Sequence, residues 1–367
     1  MTNKFIPQME PWFGDEERLA IDAYMRENGW ITEFKKTQEF EKALAEYAGT
    51  KHCVVVNNGT ISLTLAAIAS NIKAGDEVIV PNYTMIATPN SVKMFGATPV
   101  FVDVEPETLC LNINLVEKAI TNKTKAIILV LANGRYPVSG IKAFEDLAKK
   151  YNLVLLEDAA QSLGSLYPDG RHQGSVGLVG SFSFSTPKII STGQGGALVT
   201  NDDDVAFKLK RLKDFGRSGG GLDIHDSIGY NFKFTDLQAI IGLEQMKKID
   251  WRVKRKKEMF ELYKSKLADC ASVNFFKQDT KLTAPWFIDV LVENKLALME
   301  YLKSKGIGTR LMYPPINNQE AYKVQGNHPV SNLVGEKGLW LPSAAQLSNE
   351  EIEFICDSIL QFYKNLI

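Results

Sequence analysis

Leu153–Ser165 reads LVLLEDAAQSLGS. Leu153 to Leu156 is an unbroken apolar run, the pattern of a strand covered on both faces, and Glu157, Asp158, Ala159, Ala160 and Gln161 follow at its carboxyl end. Open α/β sheets bind ligands just outside the carboxyl ends of their strands, which makes Asp158 a candidate ligand group. A helix N-cap or a plain loop charge is the competing reading of that residue taken alone. Outward from this segment the same type of strand recurs at Cys53–Val56, Glu77–Val80, Pro99–Val102, Ala126–Leu131, Gly180–Phe184 and Gly196–Val199, with helical patterns between. The alternation argues for an α/β chain: a large domain with a mixed, mostly parallel seven-stranded sheet between helices, plus a smaller C-terminal α+β domain. The large domain, with an N-terminal arm, is expected over 1–240 and the small one over 241–367. A long charged helix from Thr235 to Lys266 should bridge them, with a strand at Trp286–Val292 and a closing helix at Glu350–Leu366. There is no internal repeat, and the glycine run Ser218–Leu222 (SGGGL) reads as a mobile loop or a lid.

Downstream, SFSFSTPKIISTGQGGALVT (Ser181–Thr200) places Lys188 among small, aromatic and hydroxylic residues, between a strand and a glycine-rich turn. Surface lysines usually sit among polar neighbours. A partly desolvated amine has a lowered pKa and serves as the nucleophile of Schiff-base chemistry, although a lysine stem snorkelling beside a loop would give the same local composition. Upstream, VVVNNGTISLTLAAIA (Val54–Ala69) runs from β-branched residues through Asn57, Asn58, Gly59 and Thr60 into a helix. Unsatisfied N–H groups at such a start bind anions, and Gly59 permits close approach; an ordinary N-cap turn is the alternative, and the Ser183 hydroxyl could complete a phosphate cup.

In order and spacing these segments resemble the pyridoxal phosphate (PLP)-dependent sugar aminotransferases of DegT/StrS type, which have the aspartate aminotransferase fold, fold type I. The likeness spans nearly the whole chain. It includes GWIT at Gly29–Thr32, FEKALAEYAG at Phe40–Gly49, GDEVIVPNYT at Gly75–Thr84, GATPVFVDV at Gly96–Val104, GYNFKFTDLQAIIGLEQ at Gly229–Gln245 and GIGTRLMYPP at Gly306–Pro315, besides the segments above. The resemblance implies that Lys188 carries the cofactor as a Schiff base, that Asp158 pairs with its pyridine nitrogen, and that Gln161 lies near its phenolic oxygen. It implies Gly59, Thr60 and Ser183 as phosphate ligands, and Asn231 as a residue reaching the cofactor phosphate of a partner, so that two subunits of a homodimer share each active site.

The departures from that pattern are specific. Met85 follows Thr84 where an aromatic residue usually stacks on the cofactor ring; a thioether can still lie on a π face. Leu131–Arg135 replaces a segment that commonly carries a histidine and an aromatic, and Met312 precedes Tyr313 where many relatives have histidine. All three touch the expected substrate side. Gln194 replaces a common glutamate. Candidate substrate-binding residues are Arg135, Arg217, Lys233, Arg310 and Tyr313, the four cations being equally readable as surface or salt-bridge residues.

With 42 basic against 43 acidic residues and 45% hydrophobic content, the chain has the balance of an ordinary globular protein and no basic field for nucleic acid. The runs Lys247–Lys248 and Arg252–Lys257 read as solvated helix faces. Cys53, Cys110, Cys270 and Cys356 form no C-x-x-C pair and read as buried thiols, and His52, His172, His225 and His328 have no metal-ligand spacing, so no metal is expected. No signal-type or membrane-length apolar run occurs, which points to the cytoplasm and to no membrane partner. No G-x-G-x-x-G turn follows the first strand, which argues against a nicotinamide enzyme. The implied activity is transfer of an amino group from an amino acid, by family habit L-glutamate, to the ketone of a small-molecule substrate. That substrate is a nucleotide-linked sugar for amino-sugar or surface polysaccharide biosynthesis, or alternatively a smaller phosphorylated ketone such as a triose phosphate. A PLP-dependent sugar dehydratase is disfavoured because relatives of that kind replace the lysine with histidine, and a non-catalytic regulator leaves Asp158, Gln161, Ser183 and Lys188 unexplained.

Overall fold

A computed structural model describes residues 5–219 and 223–366, so positions 220–222, the last three of the Ser218–Leu222 glycine run, lie outside the described residues. Seven strands form one sheet: β1 His52–Val56, β2 Glu77–Pro81, β3 Thr98–Val102, β4 Thr124–Val130, β5 Val154–Asp158, β6 Val179–Ser183 and β7 Gly196–Thr200. Their order is β1-β7-β6-β5-β4-β2-β3. Every pairing is parallel except the two that β7 makes, with β1 and with β6.

Side chains alternate across a strand, and here the alternation sorts them into two cores. Val55, Ile79, Ile127, Leu129 and Leu155 face one side, where they meet Phe40 and Leu44 of helix Lys35–Ala48, Phe144 and Leu147 of helix Ile141–Tyr151, and Ala239 of helix Asp236–Met246. Val54, Val56, Val78, Val80, Ala126, Ile128 and Leu156 face the other, against Ile61 and Leu65 of helix Gly59–Ala69 and Val205 and Leu209 of helix Asp203–Lys213. Both faces are thus covered, as the apolar runs require.

The expected helix Thr235–Lys266 is two helices, Asp236–Met246 and Ile249–Lys266, with a turn at Lys247–Lys248. The first buries Ala239 against the large sheet and the second buries Met259, Phe260 and Tyr263 against the small one, two directions that one straight helix cannot serve. The 240/241 division falls inside the first of them. The small sheet is antiparallel throughout, with β8 Val273–Phe275, β9 Ile288–Val292, β10 Arg310–Leu311 and β11 Gly338–Leu341 in the order β10-β11-β9-β8. Helices Ile249–Lys266, Lys295–Ser304 and Asn349–Lys364 cover it. The N-terminal arm joins this part through a parallel bridge between Ile6 and Ile307.

Candidate active site

The carboxyl ends of β5 and β6 open on a cleft of about 650 Å³. Asp158 ends β5 and is buried there, its Oδ2 accepting from the Thr88 hydroxyl at 2.7 Å and its Oδ1 from the Ala160 amide at 3.2 Å. The Thr84 hydroxyl lies 2.9 Å from that of Thr88, which extends the chain of hydroxyls to the cleft wall. Burial pushes the Asp158 carboxyl above the ordinary range, while these bonds and the Lys188 charge pull it back. Gln161 follows in the same turn, and its Oε1 accepts from the Asn133 amide at 2.8 Å.

Lys188 lies in the segment between β6 and β7, its own amide donating to the Ser185 carbonyl at 3.0 Å. Its ammonium rests 4.0 Å from the centre of the Trp286 ring, whose Nε1 donates to the Pro187 carbonyl at 2.7 Å. Desolvation carries the Lys188 amine down to about 8, with Asp158 opposing the shift and Arg310 adding to it. At pH 7.5 roughly a quarter of such amines are uncharged, against about a thousandth at the ordinary lysine value.

Gly59 and Thr60 open helix Gly59–Ala69, and the Asn58 side chain caps the Ile61 amide at 2.9 Å. A Cβ on Gly59 would stand 2.9 Å from the Ser183 Cβ, so only glycine lets the helix start and the end of β6 close into one cup. Asn57, Gly59, Thr60, Ser183 and Ser185 all line it. Unbonded amides at a helix start, two serine hydroxyls, a dehydrated amine and a buried carboxylate in one cleft are the donor set that PLP requires: the cup for its phosphate, Lys188 for its aldehyde and Asp158 for its ring nitrogen. Among the described residues no His/Cys/Asp/Glu cluster could hold a metal ion, and all four cysteines are buried and free. No helix among them is long and apolar enough to cross a membrane.

Met85 lines the cleft and is 45% exposed, and Arg310 and Tyr313 stand in the same wall. Three expected substrate ligands are not brought there. Arg135 is buried and spends its guanidinium on Asp289, at 3.0 and 2.7 Å, and on the Thr108 carbonyl. Arg217 and Lys233 both pair with Asp214, at 2.8 and 3.0 Å, outside the cleft lining. Asn231 is exposed and also outside it. The unusual Leu131–Arg135 segment lies behind the wall: Asn133, in the left-handed region at φ 55°, donates to Asp289 and to the Phe287 carbonyl. Met312 is likewise buried. Thr88 and Trp286 are site residues without a local sign of chemistry in the sequence, one a threonine in a helix and the other a tryptophan in the bend just before β9, which begins at Ile288 and not at Trp286 as expected.

A sequence profile described as the DegT/DnrJ/EryC1/StrS aminotransferase family matches residues 13–360. The chain is 36% identical to a GDP-perosamine synthase of Escherichia coli O157:H7 over 99% of this chain and 100% of that one. It is 35% identical to a GDP-perosamine synthase of Caulobacter vibrioides over 95% of each. Among solved structures, a Streptococcus pneumoniae protein described as a sugar aminotransferase, in its PLP-form, superposes with a TM-score of 0.91 at 27% identity, covering 99% of this chain and 100% of that one. Full-length likeness of this order, joined to a cleft with the donor set PLP requires, decides the matter: the chain belongs to the DegT/DnrJ/EryC1/StrS aminotransferase family and is a PLP-dependent transaminase.

Proposed function

We propose that this enzyme moves an amino group from L-glutamate to the ketone of a nucleotide-linked sugar, specifically a GDP-linked one, in the making of an amino sugar for surface polysaccharide. The observation that carries this reading is the end-to-end likeness to GDP-perosamine synthases, 36% identity with no part of either chain left over beyond about a hundredth. Arg310 supports it physically. It is exposed in the cleft wall, stacks 5.4 Å from the Trp340 ring and makes no ion pair among the described residues, which suits a cation that meets a substrate phosphate. Arg135, Arg217 and Lys233 are already held by carboxylates.

When bound, PLP supplies the aldehyde that takes up the amino group and a ring that accepts electrons from the carbon losing its proton. Lys188 works as base and acid there, for which an amine near 8 is suited because both forms are present around neutral pH. Asp158 would keep a proton on the ring nitrogen, and the Thr88 hydroxyl bond favours the ionised carboxylate that this requires, against the upward push of burial. Gln161, whose Oε1 accepts from the Asn133 amide, would stand on the side of the ring's phenolic oxygen. Gly59, Thr60 and Ser183 would hold the phosphate, and Met85, in the same lining, would cover the ring. A second copy of the chain completes the site with its Asn231 in a homodimer.

The test is a half-reaction screen. Enzyme converted to its amino form with L-glutamate is mixed with GDP-linked keto sugars, other nucleotide-linked keto sugars and triose phosphates, and the return of aldehyde absorbance is followed. The expected result is fastest recovery with a GDP-linked ketone, and a preference for triose phosphates would overturn the substrate assignment.

A further inference from the structure

The basic run Arg252–Lys257 does not form a solvated face throughout. Arg252 is 5% and Lys256 2% exposed, and both stand on the inward stripe of helix Ile249–Lys266 with Ile249, Met259, Phe260 and Tyr263. Neither forms an ion pair among the described residues. Arg252 donates from Nη1 to the Ile189 carbonyl at 3.1 Å and from Nη2 to the Trp12 carbonyl at 2.8 Å. Lys256 donates from Nζ to the Trp286 carbonyl at 2.9 Å and to the Ser343 carbonyl. Burial drives the Lys256 amine down to about 7, with the Arg252 charge adding to the shift, and it drives Arg252 to about 10. Glu17 opposes the shift of Arg252 without pairing with it among the described residues, so both cations stay costly, and methionine would fill the same stripe without that cost.

What the cost obtains is local to Lys188. Ile189 follows Lys188 directly, and Pro187, which precedes it, accepts from Trp286 Nε1 at 2.7 Å. The Trp286 ring in turn lies 4.0 Å from the Lys188 ammonium. The backbone on both sides of the lysine and the ring against its amine therefore hang from one helical face, one turn apart. We propose that Arg252 and Lys256 are positioning residues that clamp Lys188 against Trp286 from behind the cleft, keeping its amine in place and shielded from water. The inference rests on the reading of Lys188 as the lysine that carries the cofactor.

The charged groups that act on that amine across the cleft are Asp158 and Arg310, with Tyr313 in the same wall, and none of the three shifts Arg252 or Lys256. Loss of the clamp should thus act through hydration: Trp286 shifts, water reaches Nζ, and the amine climbs from about 8 towards the ordinary lysine value. The measurement uses cofactor-free full-length protein. Acylation of Lys188 by acetic anhydride is followed against pH by peptide mapping. Lys256→Met and Arg252→Met are each expected to raise the Lys188 midpoint by roughly one unit, and Arg252→Lys, which keeps a donor, to raise it less. In the loaded enzyme the same variants should lower kcat at least tenfold while the KM for the ketone moves by less than about twofold. A midpoint that stays at the wild-type value in folded variants overturns the proposal whatever kcat does. Should Lys256→Met fail to fold, Trp286→Phe retains a ring and deletes the bond to Pro187; the same upward shift supports the clamp and no shift overturns it. Borohydride fixation separates the two readings. A cofactor label away from Lys188 in the wild type sinks the role of the lysine, whereas a label on Lys188 with unmoved midpoints sinks only the clamp.

Discussion

An ammonium ion at the floor of a cleft gives up hydration that a single nearby carboxylate does not replace. Burial brings Lys188 to about 8 from an unfolded value of 10.5, with Asp158 pulling upward and Arg310 downward. Between those two values the unfolded chain binds more protons than the folded one, so the stability of the cofactor-free protein rises with pH across that window. Below 8 the whole cost of the buried charge is present. Lys188→Met keeps most of the side-chain volume and removes the charge. The cofactor-free variant is therefore expected to exceed wild type at pH 7 by up to ~3 kcal/mol, with the advantage shrinking towards zero as pH nears the unfolded value. Urea denaturation of both proteins at pH 7 and pH 10 measures this. An unchanged or lower midpoint for the variant at pH 7 would mean that water already reaches the amine. The same substitution leaves no lysine for PLP to join, so it exchanges function for stability, the trade expected where a strained group is catalytic.

Helix Gly59–Ala69 and strand β6 meet at the cup, where Gly59 admits the Ser183 side chain to within the space a Cβ would occupy. Gly59→Ala must push the helix start away from β6 and widen the cup. PLP affinity is expected to fall roughly tenfold or more, about 1.4 kcal/mol, with far-ultraviolet circular dichroism unchanged. Equilibrium dialysis against PLP decides it, and wild-type affinity would place the phosphate elsewhere. That Gly59 and Ser183 meet was legible in the sequence because a strand-to-helix turn that opens on a glycine has its own spacing. The seven strands of the large sheet were legible too, to within two residues at each end, because strands covered on both faces read as apolar runs. Short elements gave no such signal: β8 is three residues long and β10 two, too few for any period to show. The break at Lys247–Lys248 was hidden because both helices around it are good helical sequence, and only the two sheets they serve differ in direction. Arg252 and Lys256 were visible in principle, since they continue a three-and-four spacing through Ile249, Met259 and Tyr263, but charge outweighed position in the reading of RVKRKK. The Leu131–Arg135 departure shows in the sequence but its place behind the wall does not, because nothing in sequence distinguishes a residue lining a cleft from one bonded just behind it.

The chain as a whole leaves apolar surface uncovered beside its own cup. Trp30 is 63%, Ile224 60%, Ile228 78% and Tyr230 50% exposed. Their segments are tied to the cup: the Asn57 amide donates to the Phe232 carbonyl at 3.2 Å, and the Phe234 amide donates to Glu33, three residues from Trp30, at 3.2 Å. Asn231 sits in this surface, bridged to Asp214, with its side chain outside the cleft of its own chain. A second copy seated on the patch would cover the apolar residues and carry each Asn231 towards the other copy's cup, which is the homodimer proposed above. Mixing two inactive variants tests the arrangement. In a heterodimer of Lys188→Ala with Asn231→Asp, one site holds both substitutions and the other holds neither. The aspartate is chosen because its charge opposes a phosphate at close range, a penalty of about 4 kcal/mol at 4 Å, larger than the loss of one hydrogen bond. Random subunit exchange should restore about a quarter of wild-type turnover, since half of the dimers are mixed and each has one intact site. Exchange shown by differential affinity tags, with turnover still absent, would mean that Asn231 serves its own subunit or no site at all, and the exposed patch would then need a different partner.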